Sequence, residues 1–269
     1  MKDWIFISKK GADPFINQFA VGCNTPITNS ENFEFSSSTS PIVFRGILKK
    51  TLINQCWDNH RDFYYMDTGY FGNDISNTNP SGSKIWHRIV KNNLQHADIV
   101  SRPPDRWLKF NRKILPWKKD GRKILIAKPD EKPCKFYGIN LDEWTSSVIS
   151  TLKQYTDRPI EIRDRAPLRV DRIASDTFIN AINNDVFAVV TFNSNAATEA
   201  IMNGIPAFVL APSHAALPVA SADLTMIETP NYATSDKLFA WACHLAYGQY
   251  HVSELKSGIA KHMLETFNV

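Results

Sequence analysis

The sequence predicts an α/β fold in two units, each an open sheet flanked by helices. Three observations carry that expectation. Short apolar runs alternate with helical segments instead of clustering by type. The alternation starts afresh beyond a basic stretch at 102–123. Finally, residues 189–209, from Val189-Val190-Thr191-Phe192-Asn193-Ser194-Asn195 to Gly204-Ile205-Pro206-Ala207-Phe208-Val209, read as strand, polar turn, short helix, Gly-Pro break and strand.

Along the first half, residues 3–8 read as a strand, residues 15–20 begin a helix, and the Asn-, Ser- and Thr-rich stretch 21–41 reads mainly as loop. Pro41-Ile42-Val43-Phe44-Arg45-Gly46 reads as a buried strand opening into a helix at 47–58. Phe63-Tyr64-Tyr65-Met66-Asp67 is the next strand, followed by a loop rich in Asn, Ser, Pro and Gly at 73–83. In the second half, strands are expected at 122–127, 159–163, 186–190 and 206–210. Helices are expected at 142–154, with Trp144, Val148, Ile149 and Leu152 on one face, and at 178–183, 235–250 and 253–267. The boundary falls on the basic stretch, giving a Rossmann-like unit over 1–112 and a second over 113–269 that keeps the C-terminal helices.

A chain of 269 residues with 43% hydrophobic residues can bury the core this needs. It contains no apolar run of the roughly eighteen residues that would span a bilayer, and its first residues lack a signal-peptide pattern. A cytoplasmic protein without membrane insertion is expected. The four cysteines, Cys23, Cys56, Cys134 and Cys243, lack metal-ligand spacing and read as reduced thiols. No metal is assigned, because the seven histidines form neither an HExxH motif nor a compact cluster.

The formal charge of +4 is unevenly spread. The 102–123 stretch holds Arg102, Arg106, Lys109, Arg112, Lys113, Lys118, Lys119, Arg122 and Lys123 against Asp105 and Asp120. It is either a solvated connection or a phosphate-contacting surface, with Trp107, Phe110 and Trp117 either stacking on bases or packing the stretch down.

The turn before Ala196 places backbone donors and a helix N-terminus where an anion can sit. Ser194 and Asn195 either leave those donors to a diphosphate or cap them. Glu199, about one helical turn on, can accept from ribose hydroxyls. Neither GxGxxG nor GxxxxGK[ST] is present. Asp67, at the end of its strand before Thr68-Gly69-Tyr70-Phe71-Gly72, is a candidate general base for an acceptor hydroxyl or a simple loop cap. Tyr70 offers a stacking surface. In Trp86-His87-Arg88, His87 is either acid–base or structural, and Arg88 can hold a phosphate. Arg163 and Arg165 follow a strand and can neutralise a diphosphate leaving group, and His214 lies beyond another strand.

The segment 189–210 resembles the nucleotide-sugar half of two-domain glycosyltransferases related to capsule-polysaccharide and Kdo transferases. Tyr64 to Gly72, Trp86-His87-Arg88 and the tail Leu245-Ala246-Tyr247-Gly248-Gln249-Tyr250 through Glu254-Leu255-Lys256-Ser257-Gly258 resemble DNA-modifying sugar transferases of tailed bacteriophages. The resemblance implies a GT-B-like architecture, two Rossmann-like units facing a crevice. It implies a nucleoside-diphosphate sugar donor, a UDP-sugar first, with no obligatory cofactor. Ser194 and Asn195 would meet the donor phosphates, Glu199 the ribose, and Asp67 would be the base. The preferred acceptor is double-stranded DNA with a hydroxymethylated pyrimidine, touched by Tyr70, Arg88, Arg106, Lys109, Arg112, Lys118, Lys119 and Arg122, its base flipped out of the duplex. A surface polysaccharide is the alternative acceptor. A non-catalytic nucleic-acid-binding protein on the same scaffold is the alternative of another class.

Overall fold

The structure is a computed structural model describing residues 4–9, 13–36, 38–47, 50–74, 79, 82–164 and 178–267. It divides into two compact units, unit 1 (Met1–His96 with Leu245–Val269) and unit 2 (Ala97–His244).

The chain begins in unit 1 with β1 (Ile5–Ser8), α1 (Pro14–Gly22), β2 (Ile27–Asn29), β3 (Ile42–Arg45), α2 (Lys50–Asp58), β4 (Phe63–Thr68) and β5 (Trp86–Lys91). Unit 2 follows with α3 (Asp105–Leu108), β6 (Lys123–Ala127), α4 (Glu131–Tyr137), α5 (Leu141–Leu152), β7 (Ile160–Arg163), α6 (Phe178–Ile182), β8 (Val186–Thr191), α7 (Ala196–Met202), β9 (Ala207–Val209) and α8 (Ser235–Tyr247). Unit 1 is completed by β10 (Gln249–His251), α9 (Val252–Lys256) and α10 (Ile259–Phe267).

The unit 1 sheet runs β10-β5-β4-β3-β1-β2. The four strands β2, β1, β3 and β4 are parallel, whereas β5 and β10 run antiparallel to their neighbours. Side chains alternate across a strand, so Trp4, Phe6, Val43, Tyr64, Met66 and Ile89 share one face. They pack on Ile16 and Phe19 of α1 and on Leu255, Ala260 and Leu264 from the C-terminal helices. Helix α1 starts where it does because Asp13 accepts from the amides of Phe15 (3.0 Å) and Ile16 (3.2 Å), with Pro14 at the first helical position. At its other end Gly22 lets the chain return: a Cβ there would lie 2.0 Å from the Leu255 carbonyl oxygen.

The unit 2 sheet, β7-β6-β8-β9, is wholly parallel. Strand β8 is buried along its whole length, which explains why it reads as a continuous apolar run instead of an alternating one. Helix α5 is capped by Asn140, which accepts from the Asp142 and Glu143 amides, and it buries Val148 and Leu152 against β6 and β8.

Several expectations are revised. Strand β2 lies inside the stretch read as loop. Strands β5 and β10 were not foreseen, and the helix expected at 235–250 gives way to β10 at Gln249. The helix expected at 253–267 breaks at Gly258, whose φ of +82° no L side chain favours. Helices α9 and α10, expected in the second unit, pack in unit 1, and the chain enters unit 2 at residue 97 instead of 113.

Candidate functional site

In an open α/β sheet, ligands bind beyond the carboxyl ends of the strands where the strand order reverses. In unit 2 that reversal lies between β6 and β8. Thr191 ties the two ends together, its Oγ1 donating to the Ala127 carbonyl (2.8 Å). The loops leaving this point are Lys128-Pro129-Asp130 and Phe192-Asn193-Ser194-Asn195, so the turn singled out from sequence does stand at the switch point. Phe192 is buried, with Tyr137 (5.1 Å) and Trp144 (6.3 Å) edge-on to its ring.

Ser194 Oγ accepts from the Ala196 amide (3.2 Å), so Ser194 makes a local cap of its own. The Asn195 side chain does not cap α7. His214 is fully buried and holds this turn from behind: Nε2 donates to the Ser194 carbonyl (3.0 Å), and Nδ1 accepts from the Ala216 amide (2.9 Å). Both ring nitrogens are therefore engaged inside the protein, which corrects the expectation that His214 meets the donor. Arg163 closes β7 at the same edge of the sheet. Arg165 lies outside the described residues. Lys128, which sequence reasoning passed over, ends β6 with an ion pair to Asp164 (2.8 Å) that raises its pKa.

Glu199 is occupied. Arg112 grips it with two parallel hydrogen bonds, Nη1 to Oε1 (3.0 Å) and Nη2 to Oε2 (2.8 Å). The stretch beyond Arg112 continues along α7: the Leu115 amide donates to the Met202 carbonyl (2.9 Å) and the Lys118 amide to the Gly204 carbonyl (2.7 Å). Gly204 has φ +75°, and a Cβ there would lie 2.0 Å from the Pro116 carbonyl oxygen. Trp117 donates through its indole to the Ala233 carbonyl (2.9 Å). Residues 112–118 are thus a strap laid on unit 2, not a loose connection.

That strap changes the electrostatics of the basic stretch. Arg112 pairs with Glu199, Arg122 with Asp185 and Lys123 with Glu161. Lys118 donates to the Asn183 side chain (2.9 Å), Lys119 lies over the Tyr232 ring, and Arg106 is buried. Lys109 and Lys113 are exposed. A continuous phosphate-facing stripe through Arg106, Arg112 and Arg122 is not what the chain presents, because Arg106 is buried and acids remote in sequence pair with Arg112 and Arg122.

In unit 1, Asp67 sits beside Arg88 on adjacent antiparallel strands. Its carboxylate accepts from the Tyr65 hydroxyl (2.8 Å), the Thr68 amide (2.7 Å) and Arg88 Nη2 (3.3 Å), yet its side chain is 33% exposed. Burial pushes its pKa up, but Arg88, the Thr68 amide and the Tyr65 hydroxyl outweigh it and hold the carboxyl below its ordinary value. Arg88 also donates to the Thr68 carbonyl (2.9 Å) and lies over the Tyr70 ring. Tyr70 is buried with its hydroxyl 2.9 Å from His96 Nδ1, and Gln249 Oε1 accepts its amide (2.7 Å). Tyr70 and Arg88 are therefore parts of a buried network that supports Asp67, and neither is an open contact surface for DNA.

His87 is fully buried. Burial, with Arg45 beside it, lowers its pKa to about 4 despite the Lys84 carbonyl that its Nε2 donates to (3.0 Å). A neutral, enclosed imidazole is not poised to act as acid or base near neutrality, which corrects that assignment. The residues sequence reasoning missed are Asp13 and Arg45. The unit 1 sheet reverses order between β1 and β3, Arg45 ends β3 at that point, and Asp13 Oδ2 accepts from its Nη1 (3.0 Å). The signal for Arg45 was a cation closing an apolar run immediately before a glycine.

Among the described residues, no group of three or more His, Cys, Asp or Glu side chains is placed to hold a metal ion. No helix among them is long and apolar enough to cross a membrane.

No protein-family model matches the chain, and no curated protein matches it by sequence. Solved structures match it, among them two that do so over nearly their whole length. The β-Kdo 2,4 transferase of Thermosulfurimonas dismutans KpsC has a TM-score of 0.54 at 9% identity, covering 98% of this chain and 99% of that one. The β-Kdo 2,7 transferase of the same KpsC has a TM-score of 0.53 at 12% identity, covering 100% and 99%. The chain therefore has a GT-B-like fold of two α/β units, as the sequence predicts.

Proposed function

We propose that the chain is a glycosyltransferase that takes a sugar from a nucleoside-diphosphate donor, a UDP-sugar first, held at the unit 2 switch point. The observation that carries this reading is the full-length likeness to two sugar transferases, with both units represented and neither chain left over. The turn at Ser194 and Asn195, braced by His214 and standing at the β6/β8 reversal, supports placing the donor phosphates there. Arg163, which closes β7, supplies positive charge at the same edge.

The reaction is a displacement at the anomeric carbon. The acceptor oxygen forms the new C–O bond, the bond to the donor phosphate breaks, and its electron pair leaves with the nucleotide. The acceptor proton passes to Asp67, which is ionised and partly exposed. Its lowered pKa makes it a weak base, sufficient only if the hydroxyl has turned strongly acidic by the time its proton moves. Glu199, engaged by Arg112, serves α7 and not the ribose.

For the acceptor we favour a saccharide hydroxyl over modified DNA. The DNA reading drew on the resemblance to phage enzymes and on the charge of 102–123, and Glu199, Asp185 and Glu161 offset three of those cations. Calorimetric titration with UDP-, GDP-, CMP- and ADP-sugars tests the donor assignment, and absence of binding by all of them overturns it. Mass spectrometry of products from an oligosaccharide panel and from hydroxymethylated duplex DNA then separates the two acceptors.

A further inference from the structure

Arg45 is oriented but unsatisfied. Asp13 engages one of its five N–H donors, and among the described residues nothing engages the others. Its Nε is buried without a hydrogen-bond partner. Nearby, His87 Nδ1 is a buried acceptor without a partner, its proton being on Nε2, and it calls for a donor and not for an anion. The two side chains meet the same ring: the Arg45 guanidinium lies 5.1 Å from the Phe15 centroid, and the His87 ring lies 4.0 Å from it. Buried donors without partners are uncommon in folded proteins and are unfavourable unless a water or ligand completes them.

The position is also where a ligand is expected. Arg45 closes β3 at the unit 1 switch point, beside Ser8 at the end of β1. Its side chain keeps 20% of its surface exposed. The next residue, Gly46, has φ +92°, and no described residue comes within 4 Å of the place a Cβ would occupy. Asp13 is committed elsewhere, its Oδ1 to the α1 amides and its Oδ2 to Arg45, and so it fixes the guanidinium while Nη2 is left unclaimed by the described residues. Guanidinium forks pair side-on with carboxylates and phosphates, for which their planar donor spacing is matched.

We propose that Arg45, held by Asp13, is an oxyanion-binding residue of unit 1, taking a carboxylate or phosphate monoester carried by the acceptor. The inference borrows from the proposed reaction only the placing of the acceptor on unit 1. The oxyanion site itself stands on Arg45.

The test is a titration followed by nitrogen–proton correlation spectra of the arginine side chains of the full chain. The Arg45 Nε–H signal is assigned by its loss in R45K. Glucuronate and glucose 6-phosphate are the probes, with glucose as neutral control. The expected result is a saturable shift of the Arg45 signal by at least one anion, bound at least about tenfold tighter than glucose, with that preference lost in R45Q. A shift by glucuronate alone assigns a carboxylate, by the phosphate alone a phosphate monoester, and by both an oxyanion of either kind. No shift with either anion, or an equal shift with glucose, overturns the proposal. If R45Q does not fold, the wild-type titration decides alone. Nucleotide-sugar calorimetry reports separately on unit 2, so a chain that binds no nucleotide sugar loses the transferase reading without altering the Arg45 titration.

Discussion

Arg112 and Glu199, 87 positions apart, meet through two parallel hydrogen bonds of 3.0 and 2.8 Å. Their side chains are 22% and 15% exposed, so the pair is partly shielded from water and more than a surface ornament. Removing one partner strands the other. Arg112→Gln or Glu199→Gln should lower unfolding free energy by about 1–2 kcal/mol. The reversed pair R112E/E199R should recover part of that loss. Denaturant unfolding of these proteins and of the double variant R112Q/E199Q checks it, and a loss in that double equal to the sum of its singles would mean that the two side chains do not couple.

Acid should weaken the fold well above the carboxylate range. His87 and His244 are buried, and burial lowers each from 6.5 to about 4. The unfolded chain therefore binds more protons than the folded one between those values. The stability these groups confer is fully present above pH 6.5 and drains away as pH falls toward 4, on the order of 3 kcal/mol for each. Melting temperatures between pH 7 and pH 4.5 should show this, and His87→Gln should flatten the dependence by about one proton.

The C-terminal return hinges on glycine. A Cβ at Gly22 would meet the Leu255 carbonyl oxygen at 2.0 Å and the Gly258 amide nitrogen at 2.8 Å. Gly22→Ala should cost about 1–3 kcal/mol and raise hydrogen exchange in α9 and α10 first. Val21→Ala, at a 65% exposed neighbour, should leave both unchanged.

Asp67→Asn should keep donor affinity while lowering kcat about 100-fold or more. Turnover that survives the change removes Asp67 from the proton-transfer role and leaves it as the anchor of Arg88.

Duplex DNA should bind weakly and with a shallow salt dependence. Each phosphate neutralised contributes a slope of about 0.9 in log K against log salt, and the paired cations have little charge left to give. Neutralising the paired Arg122 and Lys123 together should change duplex affinity by less than about twofold. A steep slope that this variant abolishes restores the nucleic-acid reading.

Parallel strands buried on both faces were legible as apolar runs, as in β8 and β4, whereas the half-buried parallel strand β2 was read as loop. Strand β5 was not. His87 and Arg88 interrupt its pattern, and what makes them acceptable in a sheet, the Lys84 carbonyl for one and Asp67 for the other, comes from folding. The turn at Ser194 was placed correctly by local pattern, because cap chemistry is local. The fate of Glu199 was not, since its partner is remote and no local rule favours Arg112 over a ribose. His214 failed for the same reason: a histidine after a strand looks like a ligand until the Ser194 carbonyl is seen to claim it.

Unit 1 is interrupted by the whole of unit 2, and its strand β10 and the helices α9 and α10, which cover one sheet face together with α1, come from residues 245 onward. During synthesis, the first 96 residues must wait, with Trp4, Phe6 and Tyr64 exposed, until a complete second unit has been made and has emerged. Unit 2 is contiguous and can fold as soon as it appears. Unit 2 is thus the portion suited to separate expression. A fragment ending anywhere before Leu264 leaves apolar surface of the first sheet in water, a liability for chaperones and proteases to manage.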